Sequence, residues 1–249
     1  VPCAIVASER GDLYALRKAR PKALEKGHLL LMPDLICSFL TGEFHSEYSE
    51  ATTTALIDPA TKDWSGEITE KILPDKKILC GMIGSGEVYG YLKDEFSGGK
   101  RIPVIAVPSH DTAAAVTATP ASEKEFAFIS TGTWALFGTE LEAPVITKEA
   151  YRAGLTNEGG HSGTTTFLKN IMGMWLFQEY KRASGLCYPE MEAMARDCPS
   201  LGFFIDPNYE GFSQPDDMPL KISDFLRRTG QGDTTEDRLL LRAVYEIGR

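Results

Sequence analysis

The stretch at residues 101–138, RIPVIAVPSHDTAAAVTATPASEKEFAFISTGTWALFG, restricts the folds open to this chain more than any other. Its β-branched run ends at Pro108 and reads as a buried strand. Asp111 follows at the N-cap of an Ala-rich helix, TAAAVTA. Past the polar segment 119–125, FAFIS and WALFGTE flank a Thr-Gly-Thr turn and read as a β-hairpin. Strand, helix, linker and hairpin in that order predict an α/β class. The linker is the predicted boundary between a domain over 1–121 and a second over 122–249.

The rest of the chain agrees with that class. Breaks at Pro21, Gly27 and Gly42 predict helices over about 11–25 and 28–40. A Thr-rich connector leads to a short helix after Trp64, and GSGEVYGYLKDEF reads as an exposed loop and strand. Its Gly84, Gly86 and Gly90 are not a dinucleotide fingerprint, because no strand is expected before them and no helix after. AGLTNEGGHSGTTTF reads as strand and turn. The spacing of Leu168, Ile171, Met172, Trp175 and Leu176 predicts one helix over 168–184. Shorter helices are expected near 189–197, 221–228 and 235–248.

Charge and cysteines narrow the function. A net charge of −9 disfavours a general nucleic-acid binder. The most apolar stretch, HLLLMPDLICSFL, is interrupted by Pro33 and Asp34 and too short to span a membrane. The five cysteines, Cys3, Cys37, Cys80, Cys187 and Cys198, are odd in number and lack C-x-x-C spacing. A zinc or disulfide framework is therefore disfavoured, and no metal-ligating residues are assigned. With no pattern of a signal peptide, a reduced cytoplasmic protein is expected. The opening without Met and the end within an amphipathic pattern suggest a fragment.

Two features carry chemistry. The Thr-Gly-Thr turn exposes backbone at Gly132 beside the hydroxyls of Ser130, Thr131 and Thr133, which suits a terminal phosphate; it equally suits a plain tight turn. Asp111 reads either as a helix cap or as a carboxylate at the C-terminal end of a strand, where open α/β sheets bind substrates. Phosphoryl transfer to an alcohol needs such a carboxylate to orient the hydroxyl and accept its proton. Other candidates have structural readings beside the functional ones. His110 satisfies a loop carbonyl, Asn170 caps its own backbone, and Gln178 is a solvated helix position. Trp134 and Trp175 read as core residues, and Asn157 and Glu158 as turn-holding residues.

The motifs SHDTAAAV, STGTWALFG, LTNEGG and LKNIMGMWLFQ, preceded by LLLMPDLICSFLTGEFHSEYSEATTTALIDPATKDW, occur in an order that resembles the FGGY carbohydrate kinases. The likeness is strongest to their rhamnulokinase branch and covers residue 13 to the end. It implies an actin/hexokinase-like (ribonuclease H-like) fold with both domains incomplete. Residues 1–121 would be the C-terminal part of the sugar-binding domain, and 122–249 the N-terminal part of the ATP-binding domain. The implied reaction is ATP-dependent phosphorylation of L-rhamnulose to L-rhamnulose 1-phosphate. Asp111 is the implied proton acceptor. His110, Thr112 and Asn170 join it at the sugar, Gly132, Thr133 and Gln178 meet the nucleotide, and ATP and Mg²⁺ are the cofactors. Another ketose or polyol as substrate, and a non-catalytic carbohydrate-binding remnant, stay open beside this reading. The first phosphate hairpin and the adenine-binding Gly-Gly-Gly segment are not in the sequence, so the chain is expected not to turn over alone.

Overall fold

The structure is a computed structural model and describes residues 4–5, 10–25, 27–73, 75–132 and 134–248. The chain begins β1 (Ala4–Ile5), α1 (Arg10–Ala19), β2 (His28–Leu29), α2 (Met32–Thr41), β3 (His45–Glu47) and α3 (Tyr48–Thr52). It continues through β4 (Ile57–Asp58), β5 (Asp63–Trp64), α4 (Gly66–Ile72), β6 (Gly81–Ile83), β7 (Val88–Tyr91), α5 (Asp94–Ser97), β8 (Pro103–Ile105) and α6 (Asp111–Thr117). The hairpin β9 (Ala127–Thr131) and β10 (Trp134–Leu141) leads to α7 (Lys148–Arg152), β11 (Leu155–Gly159) and β12 (Thr165–Met172). Four helices follow: α8 (Trp175–Ser184), α9 (Tyr188–Asp197), α10 (Met218–Arg228) and α11 (Asp237–Tyr245).

Two compact units result: Val1–Phe128 with Gly138–Lys169, and Ile129–Phe137 with Asn170–Arg249. The division falls inside single strands, between Phe137 and Gly138 in β10 and between Lys169 and Asn170 in β12. Residues 138–169 thus group with the first unit, although they follow the polar segment 119–125.

In the first unit, β1 pairs with β2 and β3 with β6, both in parallel. A core of Leu13, Leu24, Leu29, Leu56, Ile72, Leu73 and Ile78 lies under α1 and α4. Ser65 caps α4 through the Ile68 N–H, which fixes where that helix starts. Strands β11 and β12 pair antiparallel, Glu158 opposite Thr166 and Gly159 opposite Thr165. Their sheet has the order β11–β12–β10–β9. In the second unit, α8–α11 share one core built on Leu176, Tyr180, Met191, Phe212, Ile222, Leu226, Leu240 and Leu241.

Several expectations are corrected. The helix predicted over 168–184 is a strand followed by a helix. Thr166, Leu168 and Met172 are buried at strand spacing, while Leu176 and Tyr180 are buried at helical spacing. A strand face and a helix face joined end to end imitate a single helical stripe. Asn170 therefore lies on β12, and no helix carries both Asn170 and Gln178. Strand β8 exists but is not buried: Ile105 is exposed, and β8 pairs antiparallel with β7. Asp111 is the first residue of α6, with His110 in the cap position. Trp134 is 55% exposed rather than core, whereas Trp175 packs on the helical core and donates to the Phe212 carbonyl at 2.9 Å. Helix α1 stops at Ala19, with Pro21 opening a separate 3-10 turn. Strand β6 does precede Gly84, but β7 rather than a helix follows the glycines.

Candidate functional site

In the first unit, the loop from β8 into α6 is pinned from α3. Glu47 stands at the N-cap of α3 and is buried. Its Oε2 accepts from the Glu50 N–H (3.1 Å), the Ser49 hydroxyl (2.5 Å), the Ser109 N–H (3.1 Å) and the Ser109 hydroxyl (2.8 Å). Ser49 Oγ accepts from the N–H groups of Ser109 (3.1 Å) and His110 (3.3 Å). Charge-assisted bonds of this kind are about twice as strong as neutral ones. Behind Glu47 lies Asp34, 1% exposed, whose Oδ1 accepts from the Glu47 N–H at 3.1 Å. Its other oxygen is buried without a partner, and burial lifts the carboxyl to about 7.

This frame presents Asp111 to solvent. Its side chain is 95% exposed, and Oδ1 accepts from the Thr112 N–H at 2.6 Å and the Thr112 hydroxyl at 3.3 Å. Thr112 itself is buried, so its hydroxyl orients Asp111. The His110 ring lies between two carboxylates, with Nε2 3.5 Å from Asp111 Oδ1 and Nδ1 3.5 Å from Glu158 Oε2. Burial raises the Glu158 carboxyl above the ordinary glutamate range, against the pull of His110 and the Thr156 hydroxyl. Burial also raises Glu50, again opposed by His110.

The structure thus brings His110, Asp111 and Thr112 together and adds two residues that the sequence reading missed. Glu158 was read as a turn residue, yet it faces His110. Glu47 is the other, and its local signal in the sequence is an acidic N-cap three positions before another Glu. Asn157 does hold backbone: it accepts from the Val145 N–H (2.8 Å) and donates to the Val145 carbonyl (3.1 Å).

In the second unit, the hairpin turn is closed by the Gly132 N–H on the Trp134 carbonyl at 2.9 Å. The Gly132 carbonyl accepts from the Met174 N–H at 2.9 Å, which ties the turn to the start of α8. Both polar groups of Gly132 are occupied within the protein, so the expected free backbone at the turn is not presented there. Thr131 and Gly132 are exposed, and Thr133 lies outside the described residues. Gly173 lets the two segments meet, since a Cβ there would lie 2.7 Å from the Gly132 carbonyl oxygen. Below the turn is an apolar pocket of about 520 Å³, lined among others by Ile129, Phe137, Met172, Phe177 and Tyr245. Gln178 lies on α8, its N–H bonded to the Met174 carbonyl at 2.8 Å. Asn170 is exposed, and its carbonyl accepts from Asn208 at 3.3 Å.

Among the described residues, no three or more His, Cys, Asp or Glu side chains are grouped to hold a metal, and no helix is long and apolar enough to cross a membrane. A magnesium ion would need only one or two carboxylates here, with phosphate and water as its other ligands. Asp111 is an exposed carboxylate of that kind.

Two family models match the chain: the N-terminal domain of the FGGY family of carbohydrate kinases over 13–117, and the C-terminal domain of that family over 127–247. Solved structures with the same fold include a glycerol kinase from Plasmodium falciparum with ADP (TM-score 0.69, 15% identity, 95% of this chain and 49% of that one). A ligand-bound xylulose kinase from Lactobacillus acidophilus gives 0.67 at 15% identity, covering 96% and 49%. A xylulose kinase from Brucella ovis gives 0.66 at 18% identity, covering 78% and 41%. The chain spans about half the length of these solved kinases. The fold is therefore the actin/hexokinase-like one, with part of it present.

Proposed function

The chain belongs to the FGGY family of carbohydrate kinases, and from that premise we propose that it takes part in ATP-dependent phosphorylation of a ketose, L-rhamnulose giving L-rhamnulose 1-phosphate. The observation that carries this reading is Asp111: an exposed carboxylate, oriented by buried Thr112, on a loop that Glu47 and Ser49 hold by four hydrogen bonds between them.

Asp111 receives the proton of the sugar hydroxyl as that oxygen attacks the γ-phosphorus. The new O–P bond forms while the bond to the ADP oxygen breaks, and ADP leaves with the electron pair. A positioned base of this type contributes roughly 10²- to 10⁴-fold. His110 and Thr112 border the base and orient the ketose beside it. Thr133, Gly132 and Gln178 meet ATP, and Asn170 contributes to sugar recognition. ATP supplies the phosphoryl group, and Mg²⁺, when bound with it, would neutralise phosphate charge. The described cysteines Cys37, Cys80, Cys187 and Cys198 are free, and a cytoplasmic setting is part of the proposal.

The test is ADP release with ATP, Mg²⁺ and L-rhamnulose, run beside D-xylulose, glycerol and D-gluconate, with Asp111→Asn as control. Ligand-detected NMR with the same panel reports sugar binding without turnover. For this chain the expected result is selective binding of L-rhamnulose without turnover; in a version extended at both ends, ADP release is expected with L-rhamnulose and is cut about 10²-fold or more by Asp111→Asn. Undiminished release by Asp111→Asn removes the base, and preference for another sugar on the panel removes L-rhamnulose.

A further inference from the structure

His110 Nδ1 and Glu158 Oε2 face one another at 3.5 Å, and both atoms are sealed from solvent without a hydrogen-bond partner. Two complementary groups buried and unpaired side by side carry the full desolvation penalty of each. A ring rotation that shortens the gap by a few tenths of an ångström, about the width of the normal hydrogen-bond range, pairs both at once. The backbones that carry them are already held. His110 hangs on Ser49 through its N–H (3.3 Å), and Gly159, next to Glu158, hangs on Thr52 Oγ1 through its N–H (2.9 Å). Helix α3 therefore sets the spacing between the two side chains.

We propose that Glu158 is a positioning residue: its buried carboxylate accepts the His110 Nδ1–H and so turns the Nε2 edge of the ring toward Asp111 and the substrate. With Nδ1–H committed, Nε2 is the ring nitrogen left to meet Asp111 Oδ1 or a sugar hydroxyl. The role assigned to Nε2 rests on the kinase reading above; the Nδ1–H assignment does not. Burial favours this use of Glu158, since a carboxylate at the edge of solvent would have water as an alternative partner. Its opposite neighbour on β12, Thr166, does not donate to it, and the Thr156 hydroxyl is the other donor it meets.

The test is the two-bond proton–nitrogen correlation spectrum of the four histidine rings in the full chain, at about pH 8 where an ordinary imidazole is neutral. His110→Gln identifies the His110 signals. The native protein is expected to show His110 as a single Nδ1–H tautomer. Glu158→Ala is expected to return it to the mixed tautomers of a free imidazole while the other three rings keep their shifts. A native His110 held as Nε2–H, or a His110 spectrum that Glu158→Ala leaves unmoved, overturns the proposal. Should Glu158→Ala not fold, the native tautomer decides alone. No ligand or turnover enters this measurement, so failure of the kinase reading leaves it standing, and its own failure leaves the kinase reading standing.

Discussion

Glu47 accepts both polar hydrogens of Ser109 on one oxygen, the N–H at 3.1 Å and the hydroxyl at 2.8 Å, across 62 positions of sequence. The same oxygen takes the Ser49 hydroxyl and the Glu50 N–H. Removing it leaves three donors short of an acceptor, the Ser49 and Ser109 hydroxyls and the Glu50 N–H, while the Ser109 N–H keeps only Ser49 Oγ. Glu47→Ala is expected to cost about 3 kcal/mol, and Glu47→Gln, which keeps an acceptor oxygen, about 1 kcal/mol. Urea midpoints measure both. An alanine variant within about 0.5 kcal/mol of the native protein, the range of an ordinary surface change, would show that the loop does not depend on Glu47.

Gly159 touches the same frame. A Cβ there would lie 2.8 Å from Tyr48 Cδ1 and 2.9 Å from Ser49 Cα. The second contact is backbone and cannot swing aside. Gly159→Ala should destabilise by about 1–3 kcal/mol through overpacking. Gly81→Ala is the control, because a Cβ at that glycine meets nothing within 4 Å. Equal thermal midpoints for the two variants would contradict the close approach of β11 to α3.

Gly173→Ala addresses the nucleotide side. Its Cβ would fall 2.7 Å from the Gly132 carbonyl oxygen and 2.9 Å from the Ala135 nitrogen, so the turn must shift. On the proposed function this weakens nucleotide binding about tenfold or more, a change of roughly 1.4 kcal/mol, and leaves sugar binding unchanged. Titrations with ADP and with L-rhamnulose separate the two, and an unaltered ADP affinity would detach this turn from the nucleotide.

The parts legible in the sequence are those governed by local rules. The hairpin Ala127–Leu141 announces itself by two β-rich runs around Thr-Gly-Thr, and His110–Asp111–Thr112 by a strand running into a helix start. The reading of 168–184 as one helix failed because periodicity alone does not separate a strand face from a helix face when the two abut at a glycine. What packs against Gly173 is the turn at Gly132, a contact no local pattern reveals. The pairings of Glu158 with His110 and of Glu47 with Ser109 were illegible for the same reason, since each joins residues far apart in sequence, although the cap that Glu47 makes is local. Trp134 shows the limit of composition: a large aromatic residue in a strand predicts burial, yet this one stands on an exposed face.

Asp34 makes stability depend on pH in the sense opposite to most carboxylates. Burial raises its carboxyl from 3.8 to about 7, aided by the charges of Glu47 and Glu50 and opposed by the N–H groups of Glu47 and Leu31. The native state therefore holds a proton that the unfolded chain releases near 3.8. This contribution is complete below about pH 4 and is lost as pH rises to about 7. Three units correspond to about 4 kcal/mol over the whole window, as an order of magnitude. Between pH 5 and pH 8 the urea midpoint is expected to fall. Glu158 and Glu50, also raised by burial, add to the fall in the same direction. Asp34→Asn keeps the acceptor for the Glu47 N–H without the titration, so it should flatten most of that slope and exceed the native protein in stability at pH 8. If both proteins lose stability in parallel between pH 5 and pH 8, Asp34 is not the group that titrates.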